Sequence, residues 1–180
     1  TMSAPLFIGL DAGTSVTKAA VFDLTGRQLA EASRRTVLSR PHPGWSELDP
    51  EEAWQAALAV LKEVAALIGE DAHRIAAIGL TAAMVGAWVV DGKGNALRPG
   101  ITWEDSRAQS WIDRRLSADP QFLSRIFLSS GSMLQQGCTL PVLAWLAENE
   151  GQILARASYV MSYKDFLRMR LTGLAATDRS

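Results

Sequence analysis

Short apolar runs separated by turn-forming residues fill the first forty positions of the chain. Residues 6–10 form an apolar run of the kind found in strands that are buried on both faces. A turn-forming cluster follows at 11–15, then an apolar strand at 17–22 and a tight turn at 23–26. Residues 28–37 alternate in polarity and predict a third strand. Three strands with such short connections predict an antiparallel meander.

A long helix is predicted next, with clear signals at both ends. Asp49 is a natural N-cap, Pro50 suits the first helical position, and Glu52 completes a pattern that resembles a capping box. Apolar residues at three- to four-residue spacing predict a buried stripe made of Trp54, Leu58, Leu61, Ala65 and Ile68. Gly69 is a suitable stop.

A further apolar strand is predicted after this helix, at residues 75–81. A strand, helix and strand in succession predict a parallel pair joined by a right-handed crossover. The rest of the chain is rich in helix signals, with short strands interspersed: helices at 104–116, 120–127, 140–148 and 164–171, and strands at 87–90 and 157–161. Because no linker is evident, we expect one compact α/β unit with a helical elaboration after Trp103.

Composition narrows the range of partners and locations. The 180 residues are 48% hydrophobic and carry a formal net charge of -1, which disfavours binding to a nucleic-acid backbone. No run reaches the length of a membrane span, so we expect no membrane partner. Cys138 is the only cysteine, and residues 1–5 lack the features of a secretory leader. These observations favour a cytoplasmic protein.

The turn after the first strand carries residue types that suit phosphate binding. Gly13 has no side chain, so its N–H can approach a phosphate oxygen, and Thr14 and Ser15 add hydroxyl donors. Asp11 is placed to hold Mg²⁺ through water, and Lys18 adds a positive charge. The turn leads into a strand, unlike the Walker A and dinucleotide-binding loops, which lead into a helix. A plain hairpin turn has the same composition, and this alternative remains open.

A series of short motifs runs through nearly the whole chain. In order they are residues 8–15 with Lys18, 43–51, 78–81 with Met84 and Gly86, 97–99, 103–107, 164–173 and 177–178. Each motif is modest alone, but the ordered set resembles the FGGY carbohydrate kinases, a family that includes xylulose, glycerol, gluconate and ribulose kinases. The resemblance implies a ribonuclease H-like lobe with a mixed sheet, as in actin and Hsp70, in which ATP, Mg²⁺ and a small sugar or polyol meet in a cleft between two lobes.

The resemblance also implies roles for individual residues. Asp11 would serve the metal and the transferring phosphate as the catalytic and metal residue, and the nucleotide phosphates would be contacted by Gly13, Thr14, Ser15 and Lys18. The sugar would be contacted by Met84, Val85, Trp103, Asp105 and Arg107. The alternatives are that Met84 and Trp103 are core residues, and that Asp105 and Arg107 form a local ion pair.

The residues at the sugar position give a first indication of substrate. Xylulose kinases commonly carry a Met-His pair where this chain has Met84-Val85. Valine removes the imidazole donor, so a polyol or a deoxy sugar could be held differently. The Arg-Glu pair of glycerol kinases is absent, which argues against glycerol. A pentulose such as xylulose is therefore the favoured substrate.

One element of the family's chemistry is missing from this sequence. The family's catalytic base is an aspartate in a Gly-Gly-Asp-Asn-type turn, and no such turn occurs here. We therefore interpret residues 1–180 as an amino-terminal lobe that is truncated at its carboxyl end and lacks the second lobe. We expect no turnover from this chain alone, and the resemblance is compatible with a homodimer of the full-length protein.

Two other functions compete with the kinase. One is a non-catalytic sugar-binding module derived from half of a kinase. The other is a ribonuclease H-like nuclease, which shares an aspartate on the first strand but needs further acidic residues for two metals. Asp23 and Asp91 lie where turns are expected, and the charge balance offers no nucleic-acid face.

Overall fold

The chain divides into two compact units in a computed structural model that describes residues 4–178. The first unit comprises 1–38, 49–83 and 164–180, and the second comprises 39–48 and 84–163. The sequence predicted a single unit, and the structure differs because the second unit builds a hydrophobic core of its own. Residues 1–3, which belong to the region judged to lack a leader, and residues 179–180 lie outside the described residues.

A four-stranded mixed sheet forms the framework of the first unit. Its strands are β1 (Leu6–Ala12), β2 (Val16–Phe22), β3 (Gln28–Arg35) and β5 (Ile75–Ala82). Strand β4 (Glu47–Leu48) belongs to the second unit. The order is β3-β2-β1-β5. The pairs β1–β2 and β2–β3 are antiparallel, whereas β1–β5 is parallel. The predicted meander and the predicted parallel neighbour are both confirmed.

Helix α1 (Pro50–Ile68) packs against β2 and β3 through a stripe of small side chains. The buried residues are Ala53, Ala57, Val60, Leu61 and Val64. The predicted stripe was therefore wrong except for Leu61, because the larger apolar residues lie on the flank of the helix. Alanine and valine allow the helix to approach the sheet closely. Trp54 is only half-buried, and the guanidinium of Arg170 lies 5.0 Å from the centroid of its ring. A short 3₁₀ helix (Gly69–Arg74) connects α1 to β5.

Asp49 caps helix α1 as predicted, and its removal should be measurable. Its carboxylate accepts hydrogen bonds from the N–H groups of Glu51 and Glu52 at 2.8 and 2.9 Å. We expect Asp49→Ala to cost about 1 kcal/mol of stability, because two N–H groups at the helix start lose their acceptor. Thermal unfolding followed by circular dichroism measures this. Asp49→Asn keeps an acceptor and is the control; equal losses in both variants would contradict the capping role.

The second unit combines two short strand pairs with helices. Strand β4 pairs with β7 (Gly100–Ile101), and β6 (Trp88–Val90) pairs with β8 (Tyr159–Met161), both antiparallel. The helices are α2 (Gln109–Ala118), α3 (Phe122–Ser130), α4 (Thr139–Asn149) and the single turn α5 (Gly151–Leu154). The core is made of Ala87, Val89, Ile101, Ala108, Val142 and Leu146. Helix α2 begins five residues later than predicted, because residues 104–108 form a turn organised by Asp105.

The last helix, α6 (Tyr163–Thr172), returns the chain to the first unit. Lys164 at its start forms ion pairs with Asp165 and Asp178, both at 2.8 Å. Partial burial lowers the pKa of Lys164, but the hydrogen bonds to the two carboxylates outweigh it and leave the pKa raised. Thr177 also donates to Asp165 at 2.8 Å, so the segment after α6 is tied to the helix start. Among residues 4–178, no helix has both the length and the apolar character needed to cross a membrane.

Candidate functional site

The predicted phosphate turn is a tight hairpin between β1 and β2. The N–H of Gly13 donates to the carbonyl of Val16 at 2.9 Å, and a Cβ at Gly13 would lie 2.9 Å from that same oxygen. Gly13 is therefore needed for the hairpin itself, and its N–H is already used. Thr36 holds the other side of the turn: its hydroxyl donates to the carbonyl of Gly13 and its N–H to that of Ser15, both at 2.9 Å.

Hydrogen-bond donors remain available at the tip of this hairpin. No residue within 4–178 accepts a hydrogen bond from the N–H or the hydroxyl of Thr14 or Ser15. The backbone carbonyls are held by Thr36, so the two N–H groups are carried on a fixed loop. Successive N–H groups on such a turn form an anion-binding concavity. Within this turn, the N–H groups of Thr14 and Ser15, rather than that of Gly13, are therefore available to an anion.

Asp11 and Lys18 lie directly opposite each other on β1 and β2, on the face of the sheet away from α1. Both are exposed, and they line a cavity of about 480 Å³ together with Gly9, Phe22, Gly79 and Thr81. The ammonium of Lys18 is 2.9 Å from the carboxylate of Glu31, so its charge is already shared. Among the described residues, nothing hydrogen-bonds or ion-pairs with the carboxylate of Asp11.

These residues fit a magnesium-bound phosphate. Mg²⁺ prefers oxygen ligands and keeps several waters, so a single carboxylate beside phosphate oxygens is a usual protein contribution. Within residues 4–178, no group of three or more His, Cys, Asp or Glu side chains is arranged to hold a metal ion. The ion would therefore take its remaining ligands from water and from the nucleotide. Whether Asp11, Gly13, Thr14, Ser15 and Lys18 contact a nucleotide stays a prediction.

The predicted sugar-binding segment in the second unit has an unusual backbone. Val85 has a φ of 52°, and it is the one non-glycine residue with positive φ among those described. The neighbouring Gly86 has a φ of 79°, and a Cβ there would overlap the carbonyl of Ile101. A β-branched residue in this region is strained, and such strain concentrates at functional sites.

A loop before α4 lies against this segment and closes a cavity. The N–H of Gly86 donates to the carbonyl of Gly137 at 2.9 Å, and Thr139 donates to the carbonyl of Gly86 at 2.7 Å. A Cβ at Gly137 would overlap the carbonyl of Trp103, so only glycine allows this approach. The resulting cavity has a volume of about 550 Å³ and is lined by Met84, Val85, Trp103, Ser132, Met133, Gln135, Gly137 and Cys138.

Trp103 and Met84 both present their side chains to this cavity. Trp103 is 52% exposed and Met84 is 76% exposed, so the alternative that they are core residues is wrong. An indole in a cavity of this size can pack on the C–H face of a sugar. Their contact with a substrate stays a prediction.

Asp105 and Arg107 form the local ion pair that the sequence left as an alternative. The Asp105 carboxylate accepts from the N–H of Ser46 at 2.6 Å and from the guanidinium of Arg107 at 2.8 Å through each oxygen. Arg107 also donates to Glu47 at 2.8 Å and lies 3.7 Å from the centroid of the Trp45 ring. Both residues are buried. They hold the turn that follows Trp103, and a direct contact with a sugar stays a prediction.

Sequence reasoning missed several residues that shape this unit. Arg98 donates to Glu47 at 2.6 Å and to Glu150 at 2.9 Å, which extends the buried ion-pair network. From the sequence, Arg98 and Glu47 were noted only as members of the motifs at 97–99 and 43–51. Gly137 carried no local signal, because its requirement for glycine comes from a carbonyl far away in sequence.

Comparisons with known proteins agree with this geometry. Residues 6–180 match the sequence profile described as the FGGY family of carbohydrate kinases, N-terminal domain. The chain belongs to the FGGY family of carbohydrate kinases. The predicted resemblance and the predicted ribonuclease H-like fold class are both confirmed.

Individual relatives are similar over nearly the whole chain. A xylulose kinase of Escherichia coli K12 is 35% identical over 97% of this chain and 35% of its own length. An erythritol kinase of Brucella abortus is 34% identical over 97% of this chain and 33% of its own length. The crystal structure of a xylulose kinase from Rhodospirillum rubrum superimposes with a TM-score of 0.88 at 35% identity, covering 97% of this chain and 36% of that one. The chain spans about a third of the length of the curated relatives it matches.

Proposed function

We propose that this chain is the phosphate-binding, amino-terminal part of an ATP-dependent kinase that phosphorylates a hydroxyl of a small sugar or polyol. The observation that carries the proposal is the hairpin at residues 13–16, whose free N–H donors lie beside the exposed carboxylate of Asp11. Membership in the carbohydrate kinase family supports the proposal, because the phosphates of ATP are anions that such N–H donors can bind.

In this proposal, the hairpin and Asp11 together bind the phosphates of the nucleotide and their magnesium ion. Phosphoryl transfer depends on positioning and on charge stabilisation more than on covalent chemistry by the protein. Mg-ATP, when bound, supplies the phosphoryl group and a divalent charge. The N–H and hydroxyl groups of Thr14 and Ser15 bind phosphate oxygens, and Asp11 orients the metal through its carboxylate. Lys18 contributes less, because Glu31 already neutralises part of its charge.

The cavity of the second unit serves the acceptor. Trp103 packs on the carbon face of the sugar, while Asp105 and Arg107 hold the turn behind it. A pentulose such as xylulose is the favoured substrate, because the similar proteins of Escherichia coli and Rhodospirillum rubrum, each 35% identical, are xylulose kinases. The base that accepts the hydroxyl proton is supplied from outside residues 1–180, by the remainder that the relatives' greater length implies. The proposal places the enzyme in the cytoplasm, with no nucleic-acid or membrane partner and with a homodimer as the assembly to test.

Sugar-dependent release of ADP by the full-length protein tests the proposal. We expect turnover of about 1–100 s⁻¹ with at least one ketose or polyol of a panel that includes D-xylulose, as is typical of kinases. The reaction without sugar is the control. Residues 1–180 alone should bind Mg-ATP weakly in isothermal titration and release no sugar-dependent ADP. A full-length protein that binds a sugar but never releases ADP would contradict the proposal and favour the non-catalytic sugar-binding module.

A further inference from the structure

Two threonine hydroxyls lie next to each other beside the hairpin at residues 13–16. Thr17 lies on β2, Thr36 directly follows β3, and both residues are buried. Their hydroxyl oxygens are 3.4 Å apart. A buried hydroxyl is costly unless it has a hydrogen-bond partner, whereas a valine of nearly the same shape carries no such cost. Packing alone therefore does not account for the two threonines.

The hydrogen bonds of these hydroxyls run from Thr17 towards the hairpin. The hydroxyl of Thr36 donates to the carbonyl of Gly13 at 2.9 Å, so its single proton is used. The hydroxyl of Thr17 is therefore the donor in the contact between the two threonines. At 3.4 Å this contact is longer than a usual O–H···O hydrogen bond, so Thr36 contributes more than Thr17. The two hydroxyls form a short chain that ends on one peptide group of the hairpin.

This peptide group carries one of the available donors of the hairpin. The carbonyl of Gly13 and the N–H of Thr14 belong to the same trans peptide, in which they point in opposite directions. Because Thr36 holds the carbonyl on its own side, the N–H of Thr14 points away from Thr36. A carbonyl that accepts a hydrogen bond also makes the N–H of its peptide a stronger donor, because hydrogen bonds in a chain polarise one another.

The backbone of Thr36 makes a separate contact with the same hairpin. Its N–H donates to the carbonyl of Ser15 at 2.9 Å and continues the ladder between β2 and β3. Loss of the hydroxyl would leave this backbone bond in place, so the hairpin should stay formed. The peptide between Gly13 and Thr14 would then lose the restraint on its orientation. The backbone bond therefore holds the hairpin, whereas the hydroxyl determines where one of its donors points.

We propose that Thr36, assisted by Thr17, is a positioning residue that presents the N–H of Thr14 to a phosphate of the nucleotide. This inference rests on the proposed function, because it requires that the hairpin binds phosphate. Both threonines act through the peptide that precedes Thr14 rather than by contact with the nucleotide. A donor that is already held in place loses little freedom when the phosphate binds, so the hydroxyls raise the affinity for the nucleotide.

Isothermal titration of the full-length protein with Mg-ADP, in the absence of sugar, tests this inference. Thr36→Val keeps the backbone N–H and the shape of the side chain but removes the hydroxyl. We expect its Kd for Mg-ADP to rise by about 3–10-fold, the effect of one hydrogen bond. Thr36→Ser keeps the hydroxyl and should bind Mg-ADP like the wild type. Thr17→Val should raise the Kd by about twofold, because its contact is longer.

Steady-state kinetics separate a positioning role from a general loss of structure. The hairpin would contact the phosphate both before and during transfer. Thr36→Val should therefore raise the KM for Mg-ATP by a similar factor and leave kcat nearly unchanged. The KM for the sugar should not change, because the partners of Thr36 all lie in the first unit. An equal rise in both KM values would contradict the positioning role.

Thr172→Val is the matched control. The hydroxyl of Thr172 also donates to a backbone carbonyl, that of Arg168 at 2.8 Å, at the end of α6. The substitution therefore removes the same kind of bond within the first unit, and it should leave the Kd for Mg-ADP unchanged. If Thr36→Val does not fold, Thr17→Val decides the test, because valine suits a fully buried position.

The outcomes distinguish this inference from the proposed function. An unchanged Kd for Mg-ADP in Thr36→Val, or an equal loss in Thr36→Ser, overturns the positioning role and leaves the kinase function standing. An unchanged Kd in Thr17→Val has the same meaning if Thr36→Val unfolds. Absence of ATP-dependent phosphorylation with every sugar and polyol tested overturns the kinase function, while titration with Mg-ADP still decides the role of Thr36. A wild type that does not bind Mg-ADP overturns both.

Discussion

Asp11→Ala is expected to lower sugar-dependent ATP turnover of the full-length protein by roughly 10²–10³-fold, as loss of a key electrostatic group does in other enzymes. The carboxylate is exposed at the end of β1, beside a hairpin that leaves two N–H donors free. In the proposed role, loss of this carboxylate would remove the protein's contact with the magnesium ion and the alignment of the phosphate that depends on it. The fold should remain intact, because no described residue hydrogen-bonds or ion-pairs with the Asp11 side chain.

The measurement is steady-state ADP release over a range of Mg²⁺ concentrations, with circular dichroism as the check on folding. Asp11→Asn keeps the shape but removes the charge, so it should be impaired to a similar extent. The matched control is Asp71→Asn, because Asp71 is 54% exposed in a surface ion pair with Arg74 and should leave turnover unchanged. Near-normal turnover of Asp11→Ala would refute the role that we propose for this residue.

Asp105→Ala is expected to lower stability by about 3–5 kcal/mol, the usual cost of breaking a buried ion pair on one side. The Arg107 guanidinium is fully buried, and its Nη1 already has no hydrogen-bond partner in the described structure. Removing Asp105 leaves this charge with Glu47 alone and also leaves the N–H of Ser46 without its acceptor. For a chain of this size the loss corresponds to a fall in melting temperature of roughly 6–20 °C.

Thermal unfolding of the single and double variants tests the coupling between the two residues. Asp105→Ala combined with Arg107→Met removes the unpaired charge, so the double variant should lose less stability than the sum of the two single variants. Glu104→Ala is the control, since its ion pair with Arg40 is partly exposed and should contribute less than about 1 kcal/mol. Strictly additive losses would show that Asp105 and Arg107 do not stabilise the turn together.

The sequence predicted correctly those features that depend on residues close together along the chain. The meander of β1 to β3 followed from short apolar runs joined by turn residues, and Asp49 was recognised as the cap of α1. The turn that we propose binds phosphate was predicted because glycine and hydroxyl residues follow a buried strand. The order of the motifs identified the family, since each motif keeps its place along the chain.

Long-range packing decided what those signals left open. The buried face of α1 depended on which side chains let the helix approach the sheet. The small side chains of Ala53 and Ala57 are buried there, whereas Trp54 is only half-buried. The sequence left Asp105 open between a sugar contact and a local ion pair with Arg107. The structure shows the ion pair and a hydrogen bond from the N–H of Ser46, while a contact with a sugar stays a prediction.

The sequence by itself therefore determined the antiparallel meander, the helix cap, the hairpin turn after β1 and the family of this protein. Only the tertiary structure showed that the N–H of Gly13 is used within its own hairpin and that Val85 adopts a positive φ. It also brought Gly137 against Trp103 and so enclosed an apolar cavity. The physical reason is that turns and caps depend on residues a few positions apart, whereas a cavity depends on surfaces that meet only when distant segments pack.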